Sequence, residues 1–309
     1  MTFPGFSGAD FDAYQPQKWQ SRVFNLERLQ VKQKLSQLGR TFAPEMLASD
    51  GSLLELELSN ESPALWNQHK VECQYLFFSR NAAARAELDG INSRGRSMAS
   101  LIEDPSPLRQ HVFLGVRIDC DQVEIGLKLH SNAAVDRENL VRKLADHNQR
   151  ERLAARLAEL PAGFTIGLTG HDEVSVAGID GAALTQLAAD LGEADSWLSV
   201  HTTFSRDDAQ LAEAQFAERV AELMRALLPV MHEIAWSRDN DCLSMSETLR
   251  ENKAKKKQKG LQKNDRVRVL AGLFAGKVGV VQSIDPKGGL KVMLGSMPVK
   301  LSSDEVQKV

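Results

Sequence analysis

The sequence predicts an α+β body, mostly antiparallel sheet packed by helices, followed by a small all-β barrel. Three observations predict it. Two neighbouring runs, 112–118 and 123–129, have the period-two patterning of half-buried strands. Apolar residues recur at helical spacing near both ends of the first part of the chain. Short valine-rich runs punctuated by glycines then fill the last part. With 309 residues, and about 100–200 residues per domain, two domains are expected.

In the body, Pro16 suits a helical first turn. Trp19, Val23, Leu26, Val31, Leu35 and Leu38 follow near helical spacing, and Gly39 offers a stop. Residues 53–58 alternate as a strand, with Leu54, Leu56 and Leu58 on one side and Glu55 and Glu57 on the other. The apolar, aromatic run 73–78 is a second strand, and the Ala-rich run 81–88 is helical. The two strongest strands form a hairpin about Cys120-Asp121. A symmetric turn there pairs Arg117 with Glu124, Gly115 with Gly126, Phe113 with Lys128 and His111 with His130. Val112, Leu114, Val116 and Ile118 then share a core face with Val123, Ile125, Leu127 and Leu129. Residues 137–160 read as one charged amphipathic helix closed by Pro161, and 164–168, 174–177 and 198–204 as shorter strands. A last long helix spans about 207–236, entered through Ser205 and Asp208 in a capping-box pattern. Phe216, Val220, Leu223, Leu227, Val230 and Ile234 make its buried seam, and Pro229 its kink.

The run 250–260 is polar, basic and lacks an apolar stripe, so it reads as a Lys-rich linker between an acidic domain, 1–249, and a compact β domain, 261–309. In the latter, 265–270 alternates, with charges outward and Val267 and Val269 inward. Gly272, Gly276 and Gly279 mark a turn and the start of a second strand containing Val278, Val280 and Ile284 with Val281 and Gln282. A turn at 286–289 leads to a third strand, 290–294, and Gly295-Ser296 to a fourth, 297–301. Short strands tied by glycines make a small barrel, which removes exposed strand edges.

These residues carry a resemblance. Arg266-Val267-Arg268-Val269, then Gly272-Leu273-Phe274-Ala275-Gly276-Lys277-Val278-Gly279-Val280-Val281, resembles the KOW motif of NusG-type transcription elongation factors and L24-type ribosomal proteins. The continuation, with Pro298-Val299 and a closing Val306, is similar to the end of the NusG-type C-terminal domain. The resemblance implies an SH3-like barrel that docks on RNA, on a ribosomal component or on another protein of the expression machinery. The opening, Phe3-Pro4-Gly5-Phe6 with Phe11, resembles only uncharacterised bacterial α+β proteins. Its physical reading is that three phenylalanines pin the start of the chain to the core.

The net charge of −3 hides a division. Residues 250–309 hold 14 Lys+Arg against 5 Asp+Glu, a net of +9, which leaves 24 against 36, a net of −12, for residues 1–249. A basic end on an acidic body points to a polyanion partner. The candidate binding residues are Lys253, Lys255, Lys256, Lys257, Lys259, Lys263, Arg266, Arg268, Phe274 and Lys277. Aromatics are too sparse for a base-stacking ladder, so phosphate or RNA-shape contact is expected rather than sequence readout.

In the body, Arg117, Lys128, His111 and His130 on the polar hairpin face are candidates for an anion site. The plainer reading of that face is a solvated or helix-covered sheet with one cross-strand Arg–Glu pair. Arg94 and Arg96 around Gly95, with Arg80 upstream, offer a second phosphate clamp. No metal is expected, because the two histidines find no third ligand nearby in sequence and the three cysteines are widely spaced. No cofactor is expected either, since the nucleotide-loop and nucleophile-elbow motifs are absent. No apolar run reaches the roughly 18–20 residues of a membrane span, and the opening lacks the pattern of a secretory signal. A cytoplasmic location follows as an expectation.

The sequence therefore reads as a non-catalytic binding protein, tethered to RNA, ribosome or transcription machinery through its basic end. The alternatives are an enzyme acting on a phosphorylated or nucleotide substrate, with the barrel as targeting module, and a protein–protein adaptor without nucleic-acid contact.

Overall fold

The computed structural model describes residues 3–49, 54–64, 67–92, 107–191, 196–243, 261–270, 272, 274–285, 289–295, 297–302 and 305–309. The chain divides into two units, Met1–Leu243 and Ser244–Val309. The expected linker, 250–260, lies outside the described residues.

The first unit is built on a seven-stranded antiparallel sheet: β1 (Leu54–Leu58), β2 (Gln74–Arg80), β3 (Phe113–Ile118), β4 (Gln122–His130), β5 (Thr165–Leu168), β6 (Val174–Ser175) and β7 (Trp197–Ser205). Their spatial order is β1-β2-β3-β4-β7-β5-β6. The hairpin register matches the expected pairing of Arg117 with Glu124, Gly115 with Gly126 and Phe113 with Lys128. The strand β3 begins only at Phe113, so His111 and His130 do not pair as expected. His111 instead lies beside Arg80, and His130 meets the Trp197 ring edge-on at 4.5 Å.

Eight α-helical segments are described: α1 (Gly8–Asp12), α2 (Asn25–Ser49), α3 (Ala82–Asn92), α4 (Pro107–Gln110), α5 (Ala134–Ala145), α6 (His147–Ala158), α7 (Gly181–Asp190) and α8 (Phe216–Ile234). The core face of β3 and β4 packs beneath α8, and α2 lies over β1 and β2. The seam from Phe216 to Ile234 is buried as expected. Phe3, Phe6 and Phe11 are buried too, with the Phe3 and Phe6 rings 6.5 and 6.4 Å from Phe216. Among the described residues no helix is long and apolar enough to cross a membrane.

Four helix expectations are corrected. The helix expected from Pro16 is two 3-10 turns, Pro16–Lys18 and Arg22–Phe24, before α2 begins. Arg28 reaches back from α2, is buried, and donates to the carbonyls of Lys18 and Ser21, holding those turns. Gly39 does not stop α2 but lies inside it. A Cβ there would fall 2.9 Å from Leu76 Cδ1 and 3.1 Å from Leu56 Cδ2, so the glycine lets helix and sheet approach. The single helix expected over 137–160 is broken at Asp146, which is extended and caps α6 by accepting from Gln149 N at 2.9 Å. The last helix starts at Phe216 rather than near 207. Before it, Asp208 caps a separate 3-10 turn, Ala209–Ala212.

The second unit contains β8 (Arg266–Val269), β9 (Val278–Ile284), β10 (Gly289–Leu294), β11 (Met297–Ser302) and β12 (Val306–Lys308). They form an antiparallel sheet in the order β11-β10-β9-β8-β12. Its inner face is a small core of Leu261, Val267, Val281, Leu290, Val292 and Val306. Val267 and Val269 are buried and Arg266 and Arg268 exposed, as the alternation of β8 requires.

In β9 the inward residues are Gly279 and Val281, while Val278 and Val280 face out. The reason is steric: a Cβ on Gly279 would lie 2.5 Å from Met293 O and 2.7 Å from Val292 Cγ1. The register then slips at Gln282, because Lys291 opposes Ser283 while Val292 opposes Val281. This bulge keeps both Val281 and Ile284 on the core.

Candidate nucleic-acid interface

The turn between β8 and β9 is closed by backbone hydrogen bonds from Gly276 N to Val269 O at 2.7 Å and from Val269 N to Lys277 O at 2.9 Å. Gly272 and Gly276 adopt φ of +82° and +83°, values that favour glycine, with open space where a Cβ would be. The turn presents Phe274 and Lys277, whose Nζ sits 5.7 Å from the ring centroid in a cation–π contact. Of the other sequence candidates here, Lys263 is exposed, and Arg266 and Arg268 lie on the outer face of β8 rather than at the turn. Lys253, Lys255, Lys256, Lys257 and Lys259 fall outside the described residues.

The outer face carries more than those two arginines. Arg266 opposes Val280, and Arg268 opposes Val278. Met293 follows Val280 across the sheet, and Lys291 opposes Lys300. Lys291 and Lys300 are exposed, and the described outward positions include no carboxylate. Like charges placed directly opposite repel one another. Among the described residues no ion pair engages Arg266, Arg268, Lys277, Lys291 or Lys300. By contrast Lys308 is held 2.7 Å from Asp265, whose carboxyl is kept below its usual range by that hydrogen bond and by Gln262 N.

Sequence reading missed Lys291, Lys300 and the outward valines. Leu290 and Val292 inward imply Lys291 outward, so that signal was present. The valines were hidden because Gly279, not an apolar residue, takes the inward place between them.

The body's candidates are differently placed. Arg80 is buried and makes a bidentate pair with Asp136, Nη1 to Oδ2 and Nη2 to Oδ1 both at 2.6 Å. It also donates to Trp236 O at 2.7 Å, and His111 Nδ1 is 3.4 Å away. Asp136 accepts further from Val112 N and Trp236 N. Burial alone would raise this carboxyl, but the Arg80 charge and hydrogen bonds and the two amides hold it below the ordinary value. Arg80 ties β2, α5 and the end of α8 together; the other two residues of the second clamp, Arg94 and Arg96, lie outside the described residues.

On the polar hairpin face, Glu124 and Lys128 are four residues apart on β4, about 13 Å along a strand. They nevertheless meet at 2.8 Å, across the bare Gly126 between them. Arg117 pairs with Asp119 at 2.6 Å and approaches Glu124 at 3.7 Å. Burial would lower its guanidinium, but its electrostatic contacts, among them the Asp119 and Glu124 carboxylates, hold it above the ordinary value. Both cations of this face thus have carboxylate partners. His130 is buried, with Nδ1 accepting from Asn132 N at 3.0 Å. Among the described residues, the one group with metal-ligand proximity is Asp119, Cys120 and Asp121. There Asp119 already accepts from two backbone amides and pairs with Arg117.

Residues 263–294 match the family model of the KOW motif. No curated protein matches the chain.

Proposed function

We propose that the chain is a non-catalytic binding protein that docks on RNA, or on an RNA-bearing assembly such as the ribosome or transcription machinery, through its C-terminal unit. The observation that carries this is a coincidence of place. The KOW motif at 263–294 lies in the same stretch, 250–309, that concentrates a net charge of +9. KOW motifs occur in RNA- and ribosome-associated proteins. The exposed Arg266, Arg268 and Lys277 supply phosphate contacts, with Lys263 and the lysines of 250–260 as the approach. We read the five strands as an SH3-like barrel over 261–309, joined by a linker at 250–260 to an acidic domain at 1–249. The acidic domain is repelled by RNA, which turns the basic end toward the polymer. The reading places the protein in the cytoplasm.

The test compares the full chain with residues 1–249 for binding to fluorescein-labelled RNA by anisotropy, over a series of KCl concentrations. The reading expects binding by the full chain alone, with log K falling linearly against log salt, by about 0.7 per neutralised phosphate on single strands. Equal binding by both, or binding by neither at low salt, refutes it.

A further inference from the structure

We infer that the outer face of the C-terminal sheet is a seat for an unpaired RNA strand, contacted through its base faces as well as its phosphates. This rests on the RNA reading above and adds to it which face binds and which form of RNA it selects.

Residues two apart on a strand share a face about 6.6 Å apart, and neighbouring strands lie about 4.8 Å apart. Val278 and Val280, 37% and 39% exposed, therefore form a continuous apolar stripe beside the partly buried Met293. Arg266 and Arg268 border the stripe along β8. Lys291 and Lys300 border it from β10 and β11. The face is thus apolar along its middle and cationic on both sides.

Charge narrows the class of occupant. Four cations without an ion pair among the described residues, two of them directly opposed, store repulsion that a polyanion relieves. An acidic protein segment would also be drawn to such a patch, and the KOW match over 263–294 is what favours RNA over it. The stripe then decides between forms of RNA. In a duplex the base faces are stacked on one another, and a flat protein face meets only sugars and phosphates. In a single strand the bases can splay and lie on a sheet. The valine methyls here offer contact to any base without the preference that hydrogen bonding would impose. Phosphates on either side of the stripe reach the arginines or the lysines.

The test uses the full chain with two probes, a fluorescein-labelled 12-nucleotide oligouridine and a 12-base-pair RNA duplex. The variants are V278T/V280T, which keeps β-branching at exposed positions, and R266Q/R268Q. Thermal melts confirm that each variant folds as the wild type does. V278T/V280T is expected to weaken single-strand binding about tenfold, by losing apolar contact, with the salt slope unchanged. Its duplex binding should match wild type. R266Q/R268Q is expected to lower the salt slope by about 1.4, two phosphates' worth. If wild type binds the single strand but both variants match it, the face is not the seat, while the RNA reading stands. If V278T/V280T weakens duplex and single strand alike, selection of unpaired RNA is refuted. A wild-type chain that binds neither RNA but binds polyglutamate assigns the face to an acidic protein segment and overturns both readings.

Discussion

Replacing Arg80 by Met removes one partner of the buried pair with Asp136 while keeping much of the side-chain volume. Asp136 is 1% and Arg80 6% exposed, so the carboxylate left behind stays out of water. Breaking a buried pair from one side costs about 3–5 kcal/mol. Asp136 keeps its hydrogen bonds from Val112 N and Trp236 N, so the lower end, about 3 kcal/mol, is expected. At about 2–4 °C per kcal/mol for a domain of this size, the melting temperature should fall by about 6–12 °C. The assay is thermal unfolding followed by circular dichroism, repeated from pH 7 downward. In wild type the depressed Asp136 pKa contributes stability above the ordinary value of 3.8 and loses it as pH falls through the folded value. In R80M burial dominates and raises that pKa, so protonation relieves the buried charge as the medium becomes acid. The gap between the two proteins must therefore narrow toward low pH. The double variant R80M/D136L should lose less than the two single changes together. An R80M protein that melts within about 1 °C of wild type at neutral pH, with no pH-dependent gap, would falsify the structural role assigned to Arg80.

Three further changes have defined outcomes. Gly126→Ala places a Cβ 2.6 Å from His201 Cβ and 2.8 Å from Val200 O, so it should lower the stability of the first unit by about 1–3 kcal/mol in urea titrations. Lys128→Met takes from buried Glu124 its nearest cation and leaves it Arg117 at 3.7 Å and His201; its carboxyl, held below the ordinary value in wild type, should rise, and the urea midpoint should fall at pH 7 more than at pH 4. Gly279→Ala, with its Cβ 2.5 Å from Met293 O, should disrupt the second unit; RNA binding should be lost while the melting of the first unit is unchanged.

The hairpin of β3 and β4 was legible because alternation and a symmetric turn leave one register, and Arg117 opposite Glu124 is where that register puts them. The buried seam of α8 was legible from spacing alone. Helix boundaries were not, because tertiary contacts set them. Gly39 reads as a stop until Leu56 and Leu76 need its bare Cα, and Asp146 reads as one more charge in an amphipathic run until it caps α6. The role of Arg80 was hidden for the same reason, since Asp136 and the Trp236 carbonyl lie 56 and 156 residues away. In the second unit the KOW residues were legible as a motif, and Val267 and Val269 as core. The outward turn of Val278 and Val280 depends on Gly279 meeting Met293 across the sheet, which only the paired strands reveal.

The most direct test of the central claim is photo-crosslinking of the full chain to RNA carrying 4-thiouridine, with the crosslinked peptides identified by mass spectrometry. Docking through the C-terminal unit predicts crosslinks within residues 250–309 that disappear at high salt. Crosslinks confined to residues 1–249 would contradict it.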